Sequence, residues 1–336
     1  MVTIVVVTPA ALLIARPNSR WVVEEHLRGV SPDCVAVDPH DPTRAYCGTA
    51  RGLFRSRDSG RNWEPVGAGI EHRTITAVAV SHAERTDRFG VVYAGTEPSG
   101  LFRSANAGDD WLELAGLQQL PSASSWSFPP RPETHHVRWI EADVNAANRL
   151  FVAIEAGALV RTSDAGRTWR DRVSGGPYDT HRAATHPLAP GRVYSAAGDG
   201  YFESGDAGDS WSSPDDGLQH GYLVDIAVNP TDPDIVVVSA THGPFVAYRP
   251  EAAESYVYRK TGRHPWAVAM SGLPQASGTT ASRFAVHPDA PGVIYAANNR
   301  GVWQSDDGGR RWTAVNVPWP QPGLAPGVSA MACLRE

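Results

Sequence analysis

Ser56-Arg-Asp58-Ser-Gly60-Arg-Asn-Trp63 is a stretch that the chain uses more than once. It returns as Ser104-Ala-Asn106-Ala-Gly108-Asp-Asp-Trp111, as Thr162-Ser-Asp164-Ala-Gly166-Arg-Thr-Trp169, as Ser204-Gly-Asp206-Ala-Gly208-Asp-Ser-Trp211 and as Ser305-Asp-Asp307-Gly-Gly309-Arg-Arg-Trp312. A degenerate copy, Lys260-Thr-Gly262-Arg-His264-Pro-Trp266, precedes the last. The shared pattern is S/T-x-D/N-x-G-x-x-W: a polar turn with a glycine, followed by a large aromatic anchor. Upstream of each copy lie short apolar-alternating segments, such as Val35-Ala-Val37 before Asp38-Pro39 and Phe284-Ala-Val286 before His287-Pro288. Internal repetition at a fixed period of this length marks a repeat architecture.

Equivalent positions at the ends of the upstream segments are Asp38, Ser81, Asp143, His186, Asn229 and His287, which gives steps of 43, 62, 43, 43 and 58. The unit is therefore 43 residues, with insertions of 19 and 15. Four short strands in such a unit match a propeller blade. Residues 3–26 read as the outer three strands of an incomplete blade, and the segment around Val328-Ser-Ala-Met-Ala-Cys333 as its missing innermost strand. The spacing thus predicts an all-β, seven-bladed β-propeller spanning 1–336. Residues 1–29 plus 326–336 form a composite blade, six internal blades fill 30–325, and closure leaves no open sheet edge.

The repeats resemble those of the Asp-box (BNR) propellers, a group that includes sialidases, xyloglucanases, sortilin-type receptors and a photosystem II assembly factor. The resemblance implies that the box is the hairpin between third and fourth strands. Its Asp satisfies turn amides and its Trp packs between blades, so Asp58, Asp164, Asp206 and Asp307 are structural. It also implies that the opposite, loop-rich face carries function. Sialidase chemistry is not implied. That family uses six blades and an Arg-Ile-Pro motif, where this chain has Ala15-Arg16-Pro17.

Composition narrows the classes. Of 336 residues, 42% are apolar and 20% charged, with a formal net charge of −6. A single lysine, Lys260, stands against many scattered arginines. This skew fits a GC-rich, bacterial genome and supplies no basic stripe for nucleic acid. No apolar run is long enough for a membrane helix. The three cysteines make no disulfide framework, and the apolar opening lacks a charged leader. A reducing cytoplasm is the expected location.

Both insertions fall on the loop-rich face, at 117–137 and at 242–254, where long loops carry function. His135, His136, His181, His220 and His242 fall there too, and most sit in links that lead to innermost strands. Because those strands flank the central channel, the histidines are expected to converge and to hold a divalent metal or move protons. His181, His220, Glu141 and Glu155 are the candidate catalytic residues. Arg73, Arg138, Arg182, Tyr222, Trp126 and Trp139 are the candidate ligand-binding residues, the arginines gripping an anion in bidentate fashion. The 117–137 loop would act as a lid. Imidazoles beside these arginines are expected to titrate below their ordinary range.

Two functions follow from these residues. In the first, a small polar or anionic molecule, glycan-derived among the alternatives, is bound at the channel mouth and processed by acid–base or metal-assisted hydrolysis or elimination. In the second, the propeller is non-catalytic and docks a protein or glycan on its loop-rich face.

Overall fold

The computed structural model describes residues 2–86, 88–290 and 292–335, and they form seven antiparallel sheets. β1 (Thr3–Val7), β2 (Leu12–Pro17) and β3 (Trp21–His26) make three strands of the first sheet. The next two sheets are β4 (Pro32–Val37), β5 (Ala45–Thr49), β6 (Gly52–Ser56) and β7 (Glu64–Pro65), then β8 (Thr74–Thr86), β9 (Phe89–Glu97), β10 (Leu101–Ser104) and β11 (Leu112–Glu113). The fourth holds β12 (Val137–Ala142), β13 (Leu150–Ile154) and β14 (Ala158–Thr162), and the fifth holds β15 (Thr180–Thr185), β16 (Val193–Ala197) and β17 (Gly200–Ser204). The sixth comprises β18 (Tyr222–Asn229), β19 (Asp232–Thr241), β20 (Tyr256–Thr261) and β21 (Ala267–Val268). The seventh comprises β22 (Arg283–Val286), β23 (Ile294–Asn298), β24 (Gly301–Ser305) and β25 (Thr313–Ala314).

The last strand, β26 (Ala330–Leu334), lies antiparallel beside β1, pairing Thr3 with Leu334 and Val7 with Ala330. The chain is a seven-bladed propeller, closed by its C-terminal strand as the spacing predicted. Closure uses both faces of the composite blade. Ile4, Val6 and Met331 pack toward the seventh blade, while Val5, Ile14 and Leu334 pack toward the second.

Outside the first blade, whose outer strand β3 has six residues, the outer strands are minimal. Four span two residues each, and in the fourth and fifth blades the outer strand shrinks to single bridges, Arg161 with Arg170 and Glu203 with Ser212. Such short edges offer little to a pairing partner. The repeated hairpins explain their own sequence. In the copy at Thr162, the Thr162 hydroxyl donates to Asp164 Oδ1 (2.8 Å) and accepts from the Gly166 amide (3.0 Å), while Asp164 Oδ1 accepts from the Thr168 amide (2.9 Å). Gly166 has φ +84°, and Ala165 before it also sits at +60°, so each turn needs two left-handed residues in succession. Tryptophans then fasten neighbouring blades: the indole N–H groups of Trp111, Trp266 and Trp312 donate to the carbonyls of Val66, Pro214 and Ala269.

One recurrent irregularity prepares the site. The pairing of innermost with second strands slips by a residue at Asp33, Thr76, Arg138, His181 and Val224. These are equivalent positions of the repeat, near the start of each inner strand. A bulge re-aims the side chain it carries, here at the loop-rich end of the channel. Among the described residues no helix is long and apolar enough to cross a membrane.

Candidate functional site at the channel mouth

Bulged positions of three blades, Asp33, Arg138 and His181, supply the centre of the site. Asp33, Arg138 and Arg283 line a cavity of about 230 Å³ with Glu155, Tyr248 and Ser329. It continues inward past Trp139, His181, Arg182 and Asp225. Glu155 stands in the turn after β13. Its Oε2 accepts from His136 Nε2 (2.9 Å) and lies 3.0 Å from Arg138 Nε. Burial pushes the Glu155 carboxyl up, but the Arg138 charge and the His136 hydrogen bond outweigh it and hold it at about 2. Glu155 is therefore ionised at neutral pH.

His181 is buried, with Nδ1 bonded to the Leu223 carbonyl. That bond makes Nδ1 a donor and leaves Nε2 available to another partner. Nε2 has no hydrogen-bond partner and lies 3.6 Å from Asp179 Oδ2. One donor atom each from Glu155, Asp179 and His181 gather within 4.8 Å of one another, a grouping that could hold a metal ion. Asp179 is fixed by the Ala156 amide on Oδ1 (2.7 Å) and leans on Gly198, where an added Cβ would come within 2.1 Å of Oδ2.

Two guanidiniums behave differently. Arg182 is neutralised: it donates to Asp225 Oδ1 (2.6 Å) and to the Phe284 carbonyl (2.9 Å), and lies 4.7 Å over the Trp139 ring. Arg283 is buried yet, among the described residues, donates only to carbonyls, those of Val224 (2.9 Å) and Val328 (3.3 Å). Burial and the charge of Arg138 push its pKa down. Burial likewise raises the Asp33 carboxyl, against the pull of Arg138, His136 and Arg283. Tyr222 reaches Tyr248 across the rim, hydroxyl to hydroxyl at 3.4 Å, and burial raises its phenol.

The remaining sequence candidates lie outside this centre. His220 and His242 pair with each other, ring centroids 4.2 Å apart, with His220 stacked on Tyr256 and bonded to the Tyr258 hydroxyl. His135 packs edge-on to Trp126. Both His135 and His220 are pushed below the ordinary imidazole range, but burial is the leading cause and a neighbouring imidazole the next, rather than arginine charge. Glu141 accepts from the amide and hydroxyl of Thr185 (both 2.8 Å), and burial raises it to about 7. Arg73 is exposed on a separate crevice with His72. Trp126 is buried within the 117–137 insertion, its indole held by Ser122, which is itself bonded to Asp171. That insertion buries Leu117, Leu120 and Trp126 in the core, so it is a packed wall rather than a lid.

Asp33 and Tyr248 escaped the sequence reading. The signal for Asp33 was present, since it occupies the repeat position of Arg138 and His181. Tyr248 stands in the non-repeating 242–254 insertion, where no equivalent position exists to compare.

The architecture and the site define a seven-bladed propeller with a charged, buried pocket at one channel mouth. No family model matches the chain. It is similar to a xyloglucanase of Hypocrea jecorina (strain QM6a), 24% identical over 305 residues, which is 88% of this chain and 32% of that protein. A probable oligoxyloglucan-reducing end-specific xyloglucanase of Neosartorya fischeri is 24% identical over 309 residues, 86% of this chain and 33% of that protein. The chain thus spans about a third of the length of these curated relatives. Among solved structures, the GH74 xyloglucanase from Xanthomonas campestris superposes with a TM-score of 0.65 at 17% identity, covering 98% of this chain and 52% of that one. The structure of YCF48 bound to D1 peptide gives a TM-score of 0.59 at 17% identity, covering 85% of this chain and 81% of that one. At these identities the structural likeness establishes the fold.

Proposed function

We propose that the channel mouth binds a small, anionic, glycan-derived molecule and processes it by hydrolysis or elimination. The observation that carries this reading is Arg283. A buried charge without a counter-charge is costly, and no carboxylate pairs directly with Arg283 among the described residues. With Arg138 on the same wall, it forms a two-guanidinium seat for a carboxylate or similar group. A cavity of about 230 Å³ suits a molecule of one or two sugar rings better than a polymer. Glu155, ionised, and His181, with a free nitrogen, face the bound group and supply the reacting end of the pocket. The similarity to xyloglucanases supports a glycan as the parent of the ligand.

Calorimetric titration with a panel of uronic and other sugar acids tests the seat, with neutral xyloglucan fragments as the comparison. Binding of an acid that Arg283→Met weakens at least about tenfold, as loss of a charge-assisted bidentate contact should, is the expected result. Binding of neutral fragments alone, unaffected by Arg283→Met, would overturn the reading.

A second reading rests on Phe245, which is 81% exposed on the 242–254 insertion beside Tyr248. An exposed aromatic on the rim suits docking of a protein segment, and the likeness to YCF48, solved with a peptide, supports it. Phe245→Ala would then abolish capture of a partner without changing sugar-acid binding.

A further inference from the structure

The reading of the channel mouth as the working site leaves one arrangement unexplained. Glu155 and Asp179, two carboxylates, converge on the one nitrogen of His181 that has no partner. The His181 side chain has no solvent exposure. Its Nδ1 is committed to the Leu223 carbonyl. Nε2 therefore faces carboxylate oxygens in a buried space, which calls for a positive charge between them, either a proton on Nε2 or a metal ion. A histidine whose one nitrogen donates to a backbone carbonyl while the other faces carboxylates has the arrangement of a metal ligand with its supporting bond in place.

We propose that Glu155, Asp179 and His181 form a divalent-cation site at the channel mouth, suited to Zn²⁺ or Mn²⁺. Two bonds of about 2.1 Å opened to about 120° span about 3.6 Å, the separation of His181 Nε2 from Asp179 Oδ2. Oxygen–oxygen–nitrogen donors suit these ions better than Ca²⁺, which takes oxygen ligands. Each ligand is positioned from behind. The Leu223 carbonyl fixes the His181 tautomer, and the Ala156 amide holds Asp179 Oδ1, leaving Oδ2 to the ion. His136 and Arg138 engage Glu155 Oε2, leaving Oε1 for the ion. Arg138 opposes the ion here, and the two carboxylates outweigh it. Gly198 completes the cradle, since any side chain there would displace Asp179 Oδ2.

The inference deepens the reading of the site, and metal alone tests it separately from any sugar. The full chain, freed of tag and stripped with chelator, is titrated calorimetrically with ZnCl₂ and with MnCl₂, with metal content measured on the untreated protein. One ion per chain is expected. Asp179→Asn should weaken it at least about tenfold, the lower bound seen even for supporting residues. His181→Asn, which keeps a donor for the Leu223 carbonyl but deletes Nε2, should do the same, as should Gly198→Ala. The exposed His264→Gln should leave it unchanged. If His181→Asn does not fold, Asp179→Asn and Gly198→Ala decide. No stoichiometric uptake of either ion by the folded wild type overturns the proposal, as does uptake indifferent to Asp179→Asn and Gly198→Ala. Arg283→Met distinguishes the two ideas: it should retain the ion while losing the sugar acid.

Discussion

Removing residues 330–336 tests the closure of the ring. The truncation deletes β26 and with it Met331, Cys333 and Leu334, each no more than 9% exposed. At about 1.5–3 kcal/mol per buried apolar side chain, somewhat less for cysteine, the direct loss is roughly 4–8 kcal/mol. The deletion also uncovers Ile4, Val5 and Val6 of β1, none more than 1% exposed, and frees the backbone edge that pairs Thr3 with Leu334. A domain's net stability is about 5–15 kcal/mol, so most or all of it goes, and the bare β1 edge invites pairing between molecules. Urea unfolding followed by tryptophan fluorescence, with light scattering for association, reads both effects. A milder version, Leu334→Ala, should cost about 2–5 kcal/mol and keep the fold. A truncated chain that stays monomeric and unfolds at the wild-type urea midpoint would refute the reasoning, because the seventh blade and the second would then hold without the strand between them.

Other expectations concern the hairpins and one buried acid. Trp312 is 4% exposed and bonded to the Ala269 carbonyl, so Trp312→Ala should cost about 3–5 kcal/mol, while Trp169→Ala, at a half-buried position, should cost less in the same urea titration. Gly166→Ala would put a Cβ 2.7 Å from Leu114 Cδ1 at φ +84° and should cost about 1–2 kcal/mol, whereas Ala165→Gly should lie near zero, because relief of its left-handed strain is offset by unfolded-chain entropy; thermal melts separate the two. Glu141 is raised from 4.5 to about 7 in the folded chain. Its contribution is therefore full below about pH 4.5 and falls as pH rises toward 7, by at most about 3 kcal/mol. Unfolding midpoints at pH 5 and pH 8 should draw together in Glu141→Gln.

Much of the fold was legible because its information is periodic. The repeated turns, the 43-residue step and the apolar segments before them specify blades, and the unpaired N-terminal strands and apolar C-terminal segment specify where the ring closes. The geometry of the site is less periodic. Convergence of Arg138 and His181 followed from their place at the starts of inner strands, and the bulge that aims them recurs with the repeat. His220 and His242 share the same face, yet stacking on Tyr256 holds the pair apart from the channel. Spacing assigns a histidine to a face but not to a radius. The insertion at 117–137 misled for a related reason. Its Leu117, Leu120 and Trp126 are spaced irregularly, and only the folded chain shows that they enter the core together.

The propeller accounts for why such a site can be buried at all. Side chains at one repeat position project toward a common axis, so Asp33, Arg138 and His181 meet though their strands belong to different blades. Charges so placed cannot be solvated individually, and they settle by pairing. Arg182 takes Asp225, and Glu155 takes His136 and Arg138. What remains after pairing is a guanidinium with no directly bonded acid among the described residues, Arg283, and an imidazole nitrogen without a partner facing acids, His181. The first asks for an anion and the second for a cation. Both lie along the continuous space bounded by Arg138, so a molecule whose acidic group is held by Arg283 would bring its remaining oxygens toward an ion held by His181. A ligand with a carboxylate next to a hydroxyl meets both demands. A sugar acid should therefore bind more tightly when the ion is present, and chelator treatment should weaken it in wild type but not in Asp179→Asn. Equal affinity with and without metal in the wild type would show that the two residues act independently.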